Sequence, residues 1–220
     1  WFGFNAGSAL AADETAALAF VNTFLAPVAA VTVWMILDHR TSGRITAVGV
    51  ATGIVVGLVA VTPAAGFVGP MAALAIGGIA AVPSHWAIRM RARTGLDDSL
   101  DVVAAHGLGG LSGALLTGVF ARAAWGGADG LLAGDAMLVV RQLLAIFAAA
   151  AFSGVATWVL LKLVGLVVPL RAPESAERTG LDVPMHGEEA YTSGEGAILV
   201  LPSEPASAVR AAAHTVRSEA

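Results

Sequence analysis

The chain has 220 residues, 57% of them hydrophobic and only 13% charged, with a net charge of −4 and a mean hydropathy of +0.78. A soluble domain carries about 25% charged residues, and one of this length could not cover so much apolar surface. The small net charge and the lack of a basic cluster exclude nucleic acid as a partner, and the absence of Cys excludes disulfides and thiolate metal sites. What remains is an all-α integral-membrane protein whose main partner is the lipid bilayer. Its 26 Gly suit helices that pack closely in lipid.

The chain opens at Trp1 with no basic segment or cleavage site of a signal peptide. Residues 1–10 are apolar but cover only about 15 Å as a helix, half of the roughly 30 Å hydrocarbon core. They read as the end of a span whose beginning lies outside this sequence, so a fragment cut inside a span is expected. Residues 16–37 carry no charge and are long enough to cross. A polar loop at 38–44 precedes a span at 45–61, where Gly49, Gly53 and Gly57 line one face for a neighbouring backbone. After a Pro/Gly turn comes a span at 71–88, then a charged loop at 89–98. A glycine-interrupted span follows at 102–121, and a last, long span at 138–170. Residues 171–191 form a polar segment, and 192–220, rich in Ala, Ser and Glu, read as disordered.

The loops alternate sides. One set holds Arg40, Arg44, Arg89, Arg91, Arg93 and, in the tail, Arg171; the other holds Arg122, with Arg141 near its edge. The positive-inside rule puts the first set in the cytoplasm of a cell (plasma or inner) membrane protein with a cytoplasmic C-terminus.

His106 is the clearest ionisable residue within a span, and such residues are functional candidates. It either hydrogen-bonds a neighbouring helix or lines a path. Neutral imidazole offers one donor and one acceptor without net charge, which suits a small polar molecule better than a bare cation. The run from Gly110 to Gly113 matches the GxSG pattern of intramembrane serine proteases. Ser112 and His106, however, lie six residues apart on one helix, about 240° around and about 9 Å along it. They cannot form a nucleophile–base pair. With no HExxH, P-loop or GxSxG motif either, an enzyme is not expected, and no cofactor or metal is implied. In the first segment, Phe4 and Ser8 share a helix face. They read as an interface anchor, or as a weak cation site made of a ring face and a hydroxyl oxygen.

Several motifs now join in order: WFGFNAGSA with ALAFVNT, VTPAAGFV, DDxxDVxxxHGxGG and RxPxxxExxGLDxxxHGEEAY. Across roughly residues 1–191 this resembles the Amt/Mep ammonium transporter family, from the end of its sixth membrane helix to its cytoplasmic tail. The resemblance implies the second half of an eleven-helix inverted-repeat fold, a homotrimer with one pore per subunit, and ammonium or ammonia as substrate. His106 looks like the second of the paired pore histidines. Phe4 looks like a gating phenylalanine of the outer mouth, and Ser8 like the hydroxyl of the outer recruitment site. Thr62 and Trp86 match positions lining or flanking the central and inner pore. Asp101 reads as a structural acid, Asn5 as a side chain that bonds helix backbone, and His186 as a surface or interface residue. Where relatives often carry Phe, this chain has Val103, a packing adjustment. The partner histidine, second gating phenylalanine, recruitment-site tryptophan and buried aspartate of the family belong to a preceding half. The implied function is transport through a histidine-lined hydrophobic pore after recruitment and deprotonation at an outer vestibule. The alternatives are an ammonium sensor with weak conduction and the protease disfavoured above. The segment 171–191 is implied to touch a neighbouring subunit, and a PII-type regulatory protein is the implied partner at the cytoplasmic face.

Overall fold

Asp13 starts the first long helix by accepting the N–H of Ala16 at 2.9 Å, a side-chain cap for one of the free amides of the first turn. The helix runs over Glu14–Ser42 and stops at Gly43, whose φ of 72° suits glycine. In this computed structural model residues 1–91 and 93–190 are described. Before that helix (α2) lies the short α1, Phe2–Gly7. After it come α3, Ala47–Val61, and α4, Pro70–Arg91. A π-helical turn over Val103–Leu108 leads into α5, Gly109–Phe120. The short α6, Ala123–Gly126, and a 3-10 turn, Leu131–Ala133, precede α7, Met137–Gly165. Four of these stretches are long and apolar enough to span a membrane: α2, α4, the π-turn joined to α5, and α7.

Several boundaries differ from the reading above: α4 runs on to Arg91 where 88 is expected, and α7 ends at Gly165 instead of 170. The loop expected at 38–44 is helical as far as Ser42, because the hydroxyls of Thr41 and Ser42 donate to the carbonyls of Leu37 and Asp38 at 2.7 and 2.9 Å. The span expected at 45–61 begins only at Ala47, where the Thr46 hydroxyl caps Gly49 at 3.0 Å. With 15 residues, α3 covers only about 22 Å, so the turn after it continues at membrane depth. That turn needs internal partners for its carbonyls. Asn22, fully buried on α2, supplies them: its amide donates to Ala65 O at 2.8 Å and Val68 O at 2.7 Å.

The core lies where α2, α3 and α4 meet and is made of small residues: Ala26, Ala30, Ala60, Ala73, Ala80 and Ala81 around Val56, Ile76 and Trp34. A Cβ on Gly57 would stand 2.5 Å from Pro27 Cα, and one on Gly53 would stand 2.9 Å from Trp34 Cβ. The glycine face read from the sequence is therefore where α3 lies against α2, close enough for dispersion to hold the helices in lipid.

The chain divides into two units, Trp1–Ser153 and Gly154–Ala220. In the second, α8 covers Glu174–Thr179 and a π-turn covers Asp182–His186. Arg171 Nε donates to Glu177 Oε1 at 3.0 Å, and Arg178 pairs with Glu174 one turn back. The N–H of Ala190 donates to the Asp182 carboxylate at 3.1 Å. Together with the Val183 amide it holds that carboxyl below its ordinary value. His186 is exposed. Tyr191 and the tail over 192–220 lie outside the described residues.

Candidate functional site

The site is built around Trp1. Its indole N–H donates to Thr62 Oγ1 at 2.9 Å. Its ring meets Phe4 edge-on at 6.3 Å and stacks on His106 at 6.1 Å with 27° between planes, within the usual range for aromatic pairs. One side chain thus joins the N-terminal helix, the end of α3 and the π-turn. Thr62 in turn donates to Leu58 O at 2.8 Å, so its hydroxyl hydrogen is occupied and its lone pair is free for the indole.

His106 owes its orientation to the π-turn. The packed face of α5 is marked by Gly109, Gly113 and Thr117, all buried. A Cβ on Gly113 would overlap Ala60 O, so this face lies against α3. An ordinary α-helix run backward from Gly109 would put Ala105 about 40° and His106 about 60° from that face, with Ala104 about 140° away. The structure keeps Ala105 buried but exchanges the other two: Ala104 is buried and His106 is exposed. The wider turn, of the kind found at functional sites, rotates the imidazole off the packed face and towards Trp1. Among the described residues neither ring nitrogen of His106 has a hydrogen-bond partner, so both can meet a substrate. On its other side His106 borders an open groove of about 580 Å³ between the π-turn and residues 146–153 of α7.

Phe4 is two-thirds exposed. The Ser8 hydroxyl donates to Phe4 O at 2.8 Å, which leaves its lone pairs as acceptors. Asn5 is buried and donates to Thr23 Oγ1 at 3.0 Å, a side-chain hydroxyl rather than the helix backbone expected for it. Asp101 accepts from Arg91 Nε, the structural pairing expected of it. The structure does not bring Trp86 into the group. Its neighbour His85 turns inward, and Trp86, about 100° around the helix, stands 61% exposed.

His85 itself was not singled out from the sequence. It is buried, its Nε2–H donates to Asp38 Oδ1 at 2.9 Å, and its ring meets Trp34 edge-on at 5.0 Å. Its partner lies 47 positions away, and nothing in the sequence links the two. Trp1 was also missed as a member of the site. The signal was present, since Trp1 and Phe4 are three residues apart and share a helix face.

Spanning apolar helices joined by an irregular turn define a multi-pass membrane protein, and the aromatic rings around an unpaired imidazole mark its candidate site. Residues 1–191 match the Ammonium Transporter Family, and the chain belongs to it. It is 44% identical over 194 residues to the ammonium transporter of Bacillus subtilis, covering 87% of this chain and 48% of that protein. It is 41% identical over 192 residues to ammonium transporter Amt1 of Archaeoglobus fulgidus, covering 87% and 49%. The crystal structure of Candida albicans Mep2 superposes with a TM-score of 0.74 at 32% identity, over 80% of this chain and 40% of that one. A structure of a sensor Amt protein gives 0.73 at 30% identity, over 84% and 46%. The chain thus spans about half the length of the curated relatives it matches. These relatives are transporters rather than enzymes.

Proposed function

We propose that the protein to which this chain belongs moves ammonium across a membrane, recruiting the cation outside and passing ammonia along His106. The observation that carries this is the Trp1 bridge, which sets Phe4, Thr62 and His106 around one indole. Placing a charge at mid-bilayer costs at least about 2.5–3.5 kcal/mol. A vestibule lowers the barrier to dehydration if the Ser8 lone pairs and the Phe4 ring face replace part of the water around ammonium. Beyond the gate, neutral ammonia avoids most of that cost. The free nitrogens of His106 then offer it one donor and one acceptor, with the proton left at the vestibule or relayed through imidazole. Trp86 is a residue of the inner exit. The preceding half supplies the partner histidine and closes the pore. The working state is a homotrimer with the arginine-rich loops and tail in the cytoplasm, open there to a PII-type regulator.

The test is His106→Ala in the full-length protein, assayed as ammonium and potassium flux in proteoliposomes. Loss of ammonium flux, or of its selectivity over potassium, by about tenfold or more is expected from removing a transition-state contact in a dry pore. Unchanged rate and selectivity overturn the reading. A sensor with weak conduction is the second reading, favoured by the likeness to the sensor Amt protein. Tight ammonium binding with negligible wild-type flux would select it.

A further inference from the structure

The π-turn that orients His106 is not self-supporting: such turns persist where surrounding contacts over-determine them. Four contacts gather at its start. Asp98 accepts the N–H of Val102 on Oδ1 and the N–H of Val103 on Oδ2, both at 2.9 Å. Asp101, with a φ of 55°, makes the chain turn in the left-handed region that Asp tolerates better than most residues. Its own N–H returns to Asp98 O at 3.2 Å, and its carboxylate is held by Arg91 at the end of α4. One carboxylate therefore fixes two successive amides where the widened turn begins, and an ion pair fastens the same point to a second helix.

We propose that Asp98 is a positioning residue for His106: its two-oxygen clamp holds the π register that turns the imidazole towards Trp1. The proposal rests on the transport reading for the role of His106, but not for its orientation. Without the clamp, the ordinary α register becomes competitive. That register carries His106 onto the face packed against α3 and brings Ala104 out. The imidazole then loses its stack on Trp1 and its access to the pathway. An amide at position 98 keeps one acceptor oxygen and turns its NH2 towards the second N–H, so it preserves half the clamp. Asp101 is a poorer site for the test, because replacing a residue with positive φ strains the backbone as well.

The experiment uses the full-length protein as wild type, Asp98→Ala, Asp98→Asn, His106→Ala and the Asp98→Ala/His106→Ala double variant. Two quantities are read: the ammonium-to-potassium flux ratio in proteoliposomes, and the ¹⁵N ring resonances of His106 in histidine-labelled protein, assigned by difference from His106→Ala. Asp98→Ala is expected to shift the His106 resonances and lower the flux ratio by about tenfold. Asp98→Asn should fall between it and wild type. The double variant should be no worse than His106→Ala, because Asp98 acts through that ring. Unmoved resonances with an unmoved ratio in Asp98→Ala overturn the proposal, as does a double variant that sums both losses. If His106→Ala alone leaves transport intact, the transport reading fails and the resonances decide the clamp by themselves. If Asp98→Ala does not assemble, Asp98→Asn decides it by the same resonances.

Discussion

Trp1 uses its N–H and its ring on three partners in three separate segments, and that gives it a testable weight. Trp1→Phe removes the indole N–H and leaves Thr62 Oγ1 without its donor, while a ring remains for Phe4 and His106. A lost hydrogen bond of this kind is worth about 0.5–1.5 kcal/mol, so the variant should assemble and conduct with altered ammonium selectivity. Trp1→Leu also removes the stack and should approach the loss seen in His106→Ala; ammonium and potassium flux in proteoliposomes checks the order. The Asp38–His85 contact carries a different penalty. Asp38→Ala leaves a buried imidazole nitrogen unpaired, at about 1–3 kcal/mol, and should lower the thermal unfolding midpoint more than Asp38→Asn does. His106, Phe4 and Thr62 could be read from motif order, because each motif is local. The Asp38–His85 pair could not, since nothing in one sequence says which positions 47 apart will meet.

Between helices, small residues set the distance and larger ones would hold the helices apart. Gly57→Leu must push α3 off Pro27, so it should destabilise by more than the 1–3 kcal/mol typical of overpacking. Gly3→Ala meets nothing within 4 Å of its new Cβ and should be neutral or slightly stabilising by helix propensity; thermal unfolding of the two variants in one detergent compares them. The stripe over Gly49, Gly53 and Gly57 was legible because a four-residue period marks one helix face. The π-turn was not, because the same residues over 103–108 are compatible with an ordinary helix and the clamp that decides the register precedes them. In the segment after α7 the balance is electrostatic. The amides of Ala190 and Val183 favour the charged form of Asp182 and hold its carboxyl below the ordinary carboxylate value. The stabilisation is therefore complete above the unfolded value and is lost as pH falls through the lower folded value. Hydrogen exchange at the Ala190 amide should remain protected at pH 5 and above, and protection should fade below about pH 4; Asp182→Ala should abolish it at every pH.

At the scale of the whole molecule, the apolar helices require a bilayer, and the loop charges choose which way the chain crosses it. The last turns of α2 and α4 and the loops that follow them hold Arg40, Arg44, Arg89, Arg91 and Arg93, whereas the segment joining α5 to α7 holds Arg122. Translocating the first set would carry several cations across instead of one, which the positive-inside rule disfavours. The alternation follows from helix count alone, and so could be read without coordinates. The packing of α7 could not: between Gln142 and Lys162 it carries no charge on any face, and none of its residues is buried in this chain. The orientation can be tested cleanly, because the chain has no Cys to give a background. Ser99→Cys lies in the loop before the π-turn and Ala124→Cys in the segment after α5, both at exposed positions. In intact cells carrying the full-length protein with its remaining cysteines replaced, a membrane-impermeant maleimide should label Ala124→Cys and leave Ser99→Cys unlabelled until the membrane is opened. The reverse pattern would put the Phe4–Ser8 site on the cytoplasmic side. The vestibule would then release ammonium rather than recruit it, and the direction assigned to transport would invert with it.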